Sequence, residues 1–140
     1  DAVSIPVIAN GDVIDSSTAS ACLEATGASG LMIGRGAIGR PTIFYEIKRD
    51  LGWISGPPPW GEGGDAVARH WCWIRYLELC EDIYADSRNK NLKRHAVSFT
   101  KGLPGASAMR VDLHGEGDQR KLGRMVSDFL QDLASEPQIT

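Results

Sequence analysis

The sequence predicts an α/β segment of two strand–helix units followed by an all-α helical bundle. Three observations carry this. Two short apolar runs, "SIPVIA" (4–9) and "SGLMIG" (29–34), are each followed by a glycine turn and then a helical pattern. The stretch "GWISGPPPWGEGGD" (52–65) holds five glycines and three consecutive prolines without periodicity, so it separates two architectural parts. Beyond it, apolar residues recur only at helical spacing.

The elements follow in chain order. "SIPVIA" is a β-branched strand core, and "NGD" turns the chain at its end. Ser16 or Ser17 is placed to cap a helix running through Glu24, which Gly27 ends in the left-handed conformation. "SGLMIG" is continuous in apolar character, as expected for a strand buried on both faces of a parallel sheet. After "RGAIGR", Pro41 suits the first turn of a helix carrying Ile43, Phe44, Ile47 and Leu51. Past the linker, residues 65–85 set Val67, Trp71, Ile74, Leu77 and Cys80 at helical spacing. Residues 88–101 align Leu92, Ala96 and Phe99, and "KGLPG" stops them through Gly102 and Pro104. A short piece covers 106–113. The last helix holds Leu122, Met125, Val126, Phe129, Leu130 and Leu133 in the i, i+3, i+4, i+7 pattern. Trp71 and Trp73 are two apart and cannot share one helical core, so one of them is either a stacking surface or covered by the strand–helix segment.

Bulk properties narrow the class. The chain has 140 residues, 42% apolar and 24% charged, with no apolar run near the ~18 residues a membrane span requires. No basic, hydrophobic leader is present, so a cytoplasmic protein is expected. Cys22, Cys72 and Cys80 form no C-x-x-C pair and read as reduced, packed thiols, with no metal site among them. A (β/α)8 barrel needs eight units and roughly 200 residues or more. Two units therefore read as the last two of a TIM (β/α)8 barrel, and Asp1, in mid-pattern, reads as a cut. The expected organisation is a barrel end over 1–52, a linker over 53–64 and a helical domain over 65–140.

Residues 34–39, Gly-Arg-Gly-Ala-Ile-Gly, satisfy G-x-G-x-x-G. A dinucleotide fold requires a second strand ending in an acid about 20 residues later. The chain offers a short helix and the proline-rich linker instead. The other phosphate-binding reading is the site of an FMN barrel, formed by the loops after its last two strands and a short helix. There the backbone N–H groups at Gly34–Gly36 point at the anion, and Arg35 adds a charge-assisted contact. Asn10, Gly11 and Asp12 sit on the neighbouring strand end. Asn10 caps the loop or reaches the ribityl chain, Gly11 admits the cofactor, and Asp12 orients loop N–H groups. The plain alternative is that both glycine turns are ordinary strand–helix connections.

"IPVIANGD", followed about twenty residues on by "GLMIGRGAIGRP-IF", resembles the end of the barrel in tRNA-dihydrouridine synthases. "LKRHAVSFTKGLPGASAMR" (92–110) is similar to their helical C-terminal domain. The resemblance implies a flavoenzyme that reduces uridines of tRNA to 5,6-dihydrouridine with FMN recharged by NADPH. Hydride passes to one carbon of the uracil double bond, and a cysteine acid protonates the other. By motif, Asn10, Gly11 and Asp12 match the FMN-contacting turn, and Gly34 and Arg35 match the phosphate pair. The family's Asn-x-Gly-Cys-Pro loop is not in this sequence, nor are its uracil-contacting lysine and histidine, so the remaining barrel portion of the same protein is an expected partner. Cys22, inside a predicted helix in "SACLEA", is no substitute for the catalytic cysteine.

The formal net charge of −3 argues mildly against nucleic acid, but the distribution does not. Ser87 to Val111 contains no Asp or Glu and six bases, Arg88, Lys90, Lys93, Arg94, Lys101 and Arg110. On a helical wheel Lys90, Arg94 and Lys101 fall within about 40° of one another, opposite Leu92, Ala96 and Phe99. Lys90, Lys93, Arg94, His95 and Lys101 are therefore candidates for contact with tRNA, positioning the RNA rather than reading its sequence. Two alternatives stand beside this reading: an FMN-barrel oxidoreductase acting on a small molecule, and a non-catalytic RNA-binding helical module.

Overall fold

The computed structural model describes residues 3–84 and 89–136. Ala85, the expected end of one helix, and the base Arg88 lie outside the described residues. The chain divides into two compact units, Asp1–Gly56 and Pro57–Thr140.

In the first unit, strand β1 (Ile8–Asn10) leads through a turn to helix α1 (Ser16–Thr26) and strand β2 (Gly30–Met32). A 3₁₀ turn (Arg35–Ala37) and helix α2 (Ile43–Asp50) follow. The strands pair in parallel, with Ile8 opposite Gly30, Ala9 opposite Leu31 and Asn10 opposite Met32. Val13, Ala19, Ile43 and Ile47 form the core, flanked by Cys22, Leu31 and Ile33. Ser16 Oγ donates to Asp50 Oδ2 at 2.6 Å, tying α1 to α2.

Several sequence expectations need correction here. The cap of α1 is Asp15, not Ser16 or Ser17. Its Oδ1 accepts the Thr18 N–H at 2.8 Å, while Thr18 Oγ1 accepts the Asp15 N–H at 3.1 Å. A carboxylate is the stronger acceptor for amides at the positive end of a helix, and those bonds hold the Asp15 carboxyl below the usual carboxylate range. Gly27 ends the helix at φ 61° as expected. The strands are shorter than the apolar runs, and Pro6, with no N–H, cannot donate to a ladder. Nor are they buried on both faces, since Ile5, Val7, Ile8 and Met32 are exposed. With one partner each among the described residues, both strands are edges. On α2, Ile43 and Ile47 are buried but Phe44 is exposed. Residues four apart stack on one face, and Phe44 lies about 100° around from Ile43.

In the second unit, four helices follow: α3 (Asp65–Tyr84), α4 (Leu92–Thr100), α5 (Ala106–Gly115) and α6 (Gln119–Ser135). Cys72, Trp73, Leu92, Ala96, Phe99, Leu113, Leu122, Val126 and Leu130 make the core. Leu92, Ala96 and Phe99 therefore point inward as their spacing predicts, and so do Leu122, Val126 and Leu130. The expected inner stripe of α3 is displaced by about one residue. Ala68, Cys72 and Trp73 are buried and Tyr76 and Leu77 pack on the core, whereas Trp71 and Ile74 are exposed. Trp73 is 0% exposed and Trp71 is 42% exposed.

The indole explains the rotation. Trp73 Nε1 donates to the Gly123 carbonyl at 3.1 Å, and its ring centroid lies 5.1 Å from that of Phe99, edge-on. Burying the largest ring is favourable only where its N–H finds an acceptor, and α6 supplies one. Trp71 instead packs on Trp60 at 6.2 Å between centroids. Trp60 belongs to a folded part of the proline-rich stretch, where Gly61 N–H closes a turn on Pro58 O at 2.9 Å.

Trp73→Ala is expected to lower the unfolding free energy by about 3–5 kcal/mol, read from denaturant melts. Trp71→Ala should cost well under half of that, although sequence spacing favours Trp71 as the core residue.

Candidate functional site

The register of the parallel pair sets the first part of the site. Asn10 and Met32 are level at the carboxyl ends of β1 and β2, so the 10–12 and 33–36 loops leave from the same end. Asn10 Nδ2 lies 3.7 Å from Met32 Sδ, across the two strand tips. Asp12 has φ 30°, in the left-handed region that an aspartate tolerates better than most side chains. Its carboxylate pairs with the Arg35 guanidinium. Orientation of loop N–H groups, expected of Asp12, is not what it does here; it neutralises the neighbouring arginine. Both side chains are more than four-fifths exposed, at 83% and 86%, so the pair is screened and contributes little to stability.

The glycines divide by cause. A Cβ on Gly36 would fall 2.3 Å from the Val13 carbonyl oxygen, so this glycine is required by the contact between the two turns themselves. A Cβ on Gly34 would meet nothing within 4 Å, and the same is true of Gly11. The space beside Gly34 is open. Ala37 N–H takes Gly34 O at 3.1 Å as the first bond of the 3₁₀ turn, so the amides of Arg35 and Gly36 have no carbonyl within it. Open space, two such amides and an exposed guanidinium suit a phosphate, provided Arg35 shares or exchanges its present carboxylate.

The second part of the site is built around α4, which is pinned at both ends by side chains. At its start, Asn89 is 5% exposed. Its Nδ2 donates to Tyr76 Oη at 2.9 Å and Cys80 Sγ at 3.2 Å, and its Oδ1 accepts the Asn91 N–H at 2.9 Å. Its backbone exchanges two bonds with the Gln119 side chain, at 3.1 and 2.8 Å. At the other end, Arg69 Nη1 donates to Phe99 O at 3.1 Å and Lys101 O at 2.7 Å. Asp65 holds the same guanidinium through Nε at 3.0 Å and Nη2 at 2.7 Å.

These attachments correct the wheel of three cations. Helix α4 begins at Leu92 and ends at Thr100. Lys90 lies in the turn before it and Lys101 caps it with extended backbone, leaving Arg94 alone of the three on a helical face. The flanking turns close through i,i+3 backbone bonds, Leu92 N–H to Asn89 O at 3.2 Å and Lys101 N–H to Ser98 O at 3.4 Å, and Gln119 and Arg69 add side-chain partners there. Lys90, Arg94 and Lys101 are nevertheless exposed, and none has an ion-pair partner among the described residues. Lys93 is different. Its Nζ donates to His114 O at 2.9 Å, at the carboxyl end of α5.

His95 is half-buried, with Nδ1 2.7 Å from Tyr76 Oη, and Asn89 donates to that same hydroxyl oxygen. Burial first, then the Arg94 charge, push the His95 pKa below its ordinary value. Burial, with the neighbouring Cys80, pushes Tyr76 up to about 12, so the hydroxyl remains a donor at neutral pH. Sequence reasoning missed Asn89, Tyr76, Gln119 and Arg69. Only the Asp65–Arg69 spacing of four gave a signal.

Strand-end glycine turns in one unit and a cation-bearing helical bundle in the other define the class of protein. Residues 1–134 match the family model of dihydrouridine synthase. The chain belongs to that family, as the two motifs implied. A probable tRNA-dihydrouridine synthase of Mycobacterium tuberculosis (strain ATCC 25618 / H37Rv) is 33% identical over 108 residues, 76% of this chain and 26% of that protein. tRNA-dihydrouridine synthase B of Yersinia pestis is 46% identical over 99 residues, 69% of this chain and 29% of that protein. The protein of that name from Escherichia coli (strain K12) is 43% identical over 99 residues. The chain thus spans less than a third of the length of these curated relatives. No helix among the described residues is long and apolar enough to cross a membrane.

A lowered histidine pKa favours the neutral, folded form. The stability it contributes is complete above about 6.5 and is lost as pH falls through the lower folded value. Thermal melts are expected to show stability declining as pH drops below about 6.5, and His95→Asn to flatten that part of the profile. Separately, Gly36→Ala is expected to lower the melting temperature by forcing the two turns of the first unit apart; an unchanged value would contradict the close approach to Val13.

Proposed function

We propose that this chain supplies the FMN-phosphate end and the RNA-docking bundle of an enzyme that reduces uridines of tRNA to 5,6-dihydrouridine, with NADPH as the source of reducing equivalents. The observation that carries the reading is the family match over residues 1–134, which extends through both units. The tRNA substrate class comes from the relatives, which are tRNA-dihydrouridine synthases by name. Bound FMN supplies hydride for the uracil 5,6 double bond.

What these residues do is hold and orient. Gly34 leaves room at the tip of β2 for a phosphate, the amides of Arg35 and Gly36 face it, and Arg35 balances its charge. Asn10, level with Met32 on the adjoining strand, reaches the ribityl side, and Gly11 leaves the turn unobstructed. Asp12 holds Arg35 until the phosphate takes it. In the bundle, Lys90, Arg94 and Lys101 meet RNA phosphates, and His95 stands beside them. Lys93 supports α5 and reaches RNA only if it leaves His114 O.

Proton donation to the uracil belongs to a cysteine in a segment this sequence does not contain. Cys22 lies on α1, packed against the core of the first unit, and is no substitute. The chain by itself is therefore expected to show no turnover.

In a complete protein, Arg35→Ala is expected to reduce the flavin content after purification, read from the visible absorbance. Unchanged flavin removes Arg35 from its role. Arg94→Glu is expected to weaken tRNA binding while leaving flavin content alone, measured by filter binding and absorbance on the same preparation. Loss of both together points to misfolding instead.

A further inference from the structure

The bundle carries two more unpaired cations that the sequence-based face left out. Arg120 and Arg124 stand one turn apart at the start of α6, both exposed, with no ion pair among the described residues. Lys121 between them is already occupied: Glu116 takes its ammonium at 2.8 Å. Four residues of helix separate the two arginines by about 6 Å along the axis. Both line an open cleft that also includes Asn89 and Leu92.

The two hydrogen bonds between Asn89 and Gln119 give these cations a fixed relation to α4. Lys90 is the residue after Asn89, and Arg120 is the residue after Gln119. The clamp therefore sets the start of the α4 cations beside the start of the α6 cations. Arg120 and Arg124 line the cleft on the Gln119 side, and Lys90 follows Asn89 at the start of α4.

Two of the acids near this strip are engaged by other groups. Asp118 caps α6, its Oδ1 accepting the amides of Arg120 at 2.8 Å and Lys121 at 3.1 Å. Glu116 is spent on Lys121. Among the described residues lining the cleft, Glu81 is the remaining carboxylate. Because Asp118 already occupies the first amides of α6, any anion here is held by the arginine side chains and not by the helix terminus.

We propose that Arg120 and Arg124 extend the RNA-contacting surface from α4 onto α6, so that two cation pairs joined at the Asn89–Gln119 clamp hold the backbone of a folded RNA. This rests on the RNA-docking reading of the bundle. Contacts of these side chains with phosphates position the RNA and do not read its sequence.

The test uses the full chain and labelled bulk tRNA, with binding isotherms at about 50 and 200 mM salt. Arg120→Gln combined with Arg124→Gln is expected to weaken binding about tenfold at the lower salt and to reduce the magnitude of the salt slope by about two, one per lost phosphate contact. Arg120→Lys with Arg124→Lys keeps the charge and is expected to retain most of the affinity, which separates loss of contact from loss of fold. Arg75→Gln, an exposed arginine paired with Glu78 on α3, is expected to change little. If the double glutamine variant binds like the parent while Arg94→Glu weakens binding, the extension onto α6 is overturned and the α4 surface stands. If Arg75→Gln weakens binding as much as the double variant, general charge and not a site is responsible, and the proposal is again overturned. If neither Arg94→Glu nor the double variant alters affinity, the RNA-docking reading itself fails.

Discussion

The bundle depends on where one indole N–H finds its acceptor. Trp73 reaches the Gly123 carbonyl, and that bond fixes which side of α3 is inside. A Cβ on Gly123 would lie 3.3 Å from a Leu77 methyl carbon, so Leu77 packs closely on this glycine. Once α3 is rotated this way, Tyr76 and Cys80 face Asn89, and Arg69 faces the last carbonyls of α4. The attachment of α4 is thus a consequence of the same rotation that buries Trp73.

Pinning α4 by side chains has an electrostatic result. The carboxylates of the bundle that pair most closely are committed elsewhere: Asp65 to Arg69, Glu78 to Arg75, Glu116 to Lys121 and Asp118 to the cap of α6. Lys90, Arg94 and Lys101 have no ion-pair partner among the described residues. Solvated helices ordinarily mix signs and gain from pairs one turn apart. A segment that forgoes those gains, yet is held by buried polar contacts, is suited to presenting charge to a phosphate backbone at little reorganisation cost.

The periodic parts of this chain were legible because burial imposes a period. Leu92, Ala96 and Phe99, and Leu122, Val126 and Leu130, sit inward as their spacing predicts, and Gly27 closes α1 as a glycine should. The stripe of α3 was not legible, because Trp71 and Trp73 offer nearly equal apolar area and only the acceptor on α6 decides between them. The ends of α4 were missed for a related reason. Asn89 and Arg69 act over 30 residues of sequence, through Gln119 and the carbonyls of Phe99 and Lys101, and no local pattern announces such bonds. At the strand tips, the motif placed both glycine turns at one end. It could not separate Gly36, demanded by a backbone contact, from Gly34, which borders open space.

The bond between Asp12 and Arg35 has one more consequence. A guanidinium left alone at a strand tip would attract any passing anion, whereas this one carries an internal competitor. An incoming group has to outbid a single carboxylate that is already tethered nearby. An anion arriving at this strand tip therefore meets an arginine that is already paired, through two residues that add almost nothing to the stability of the fold.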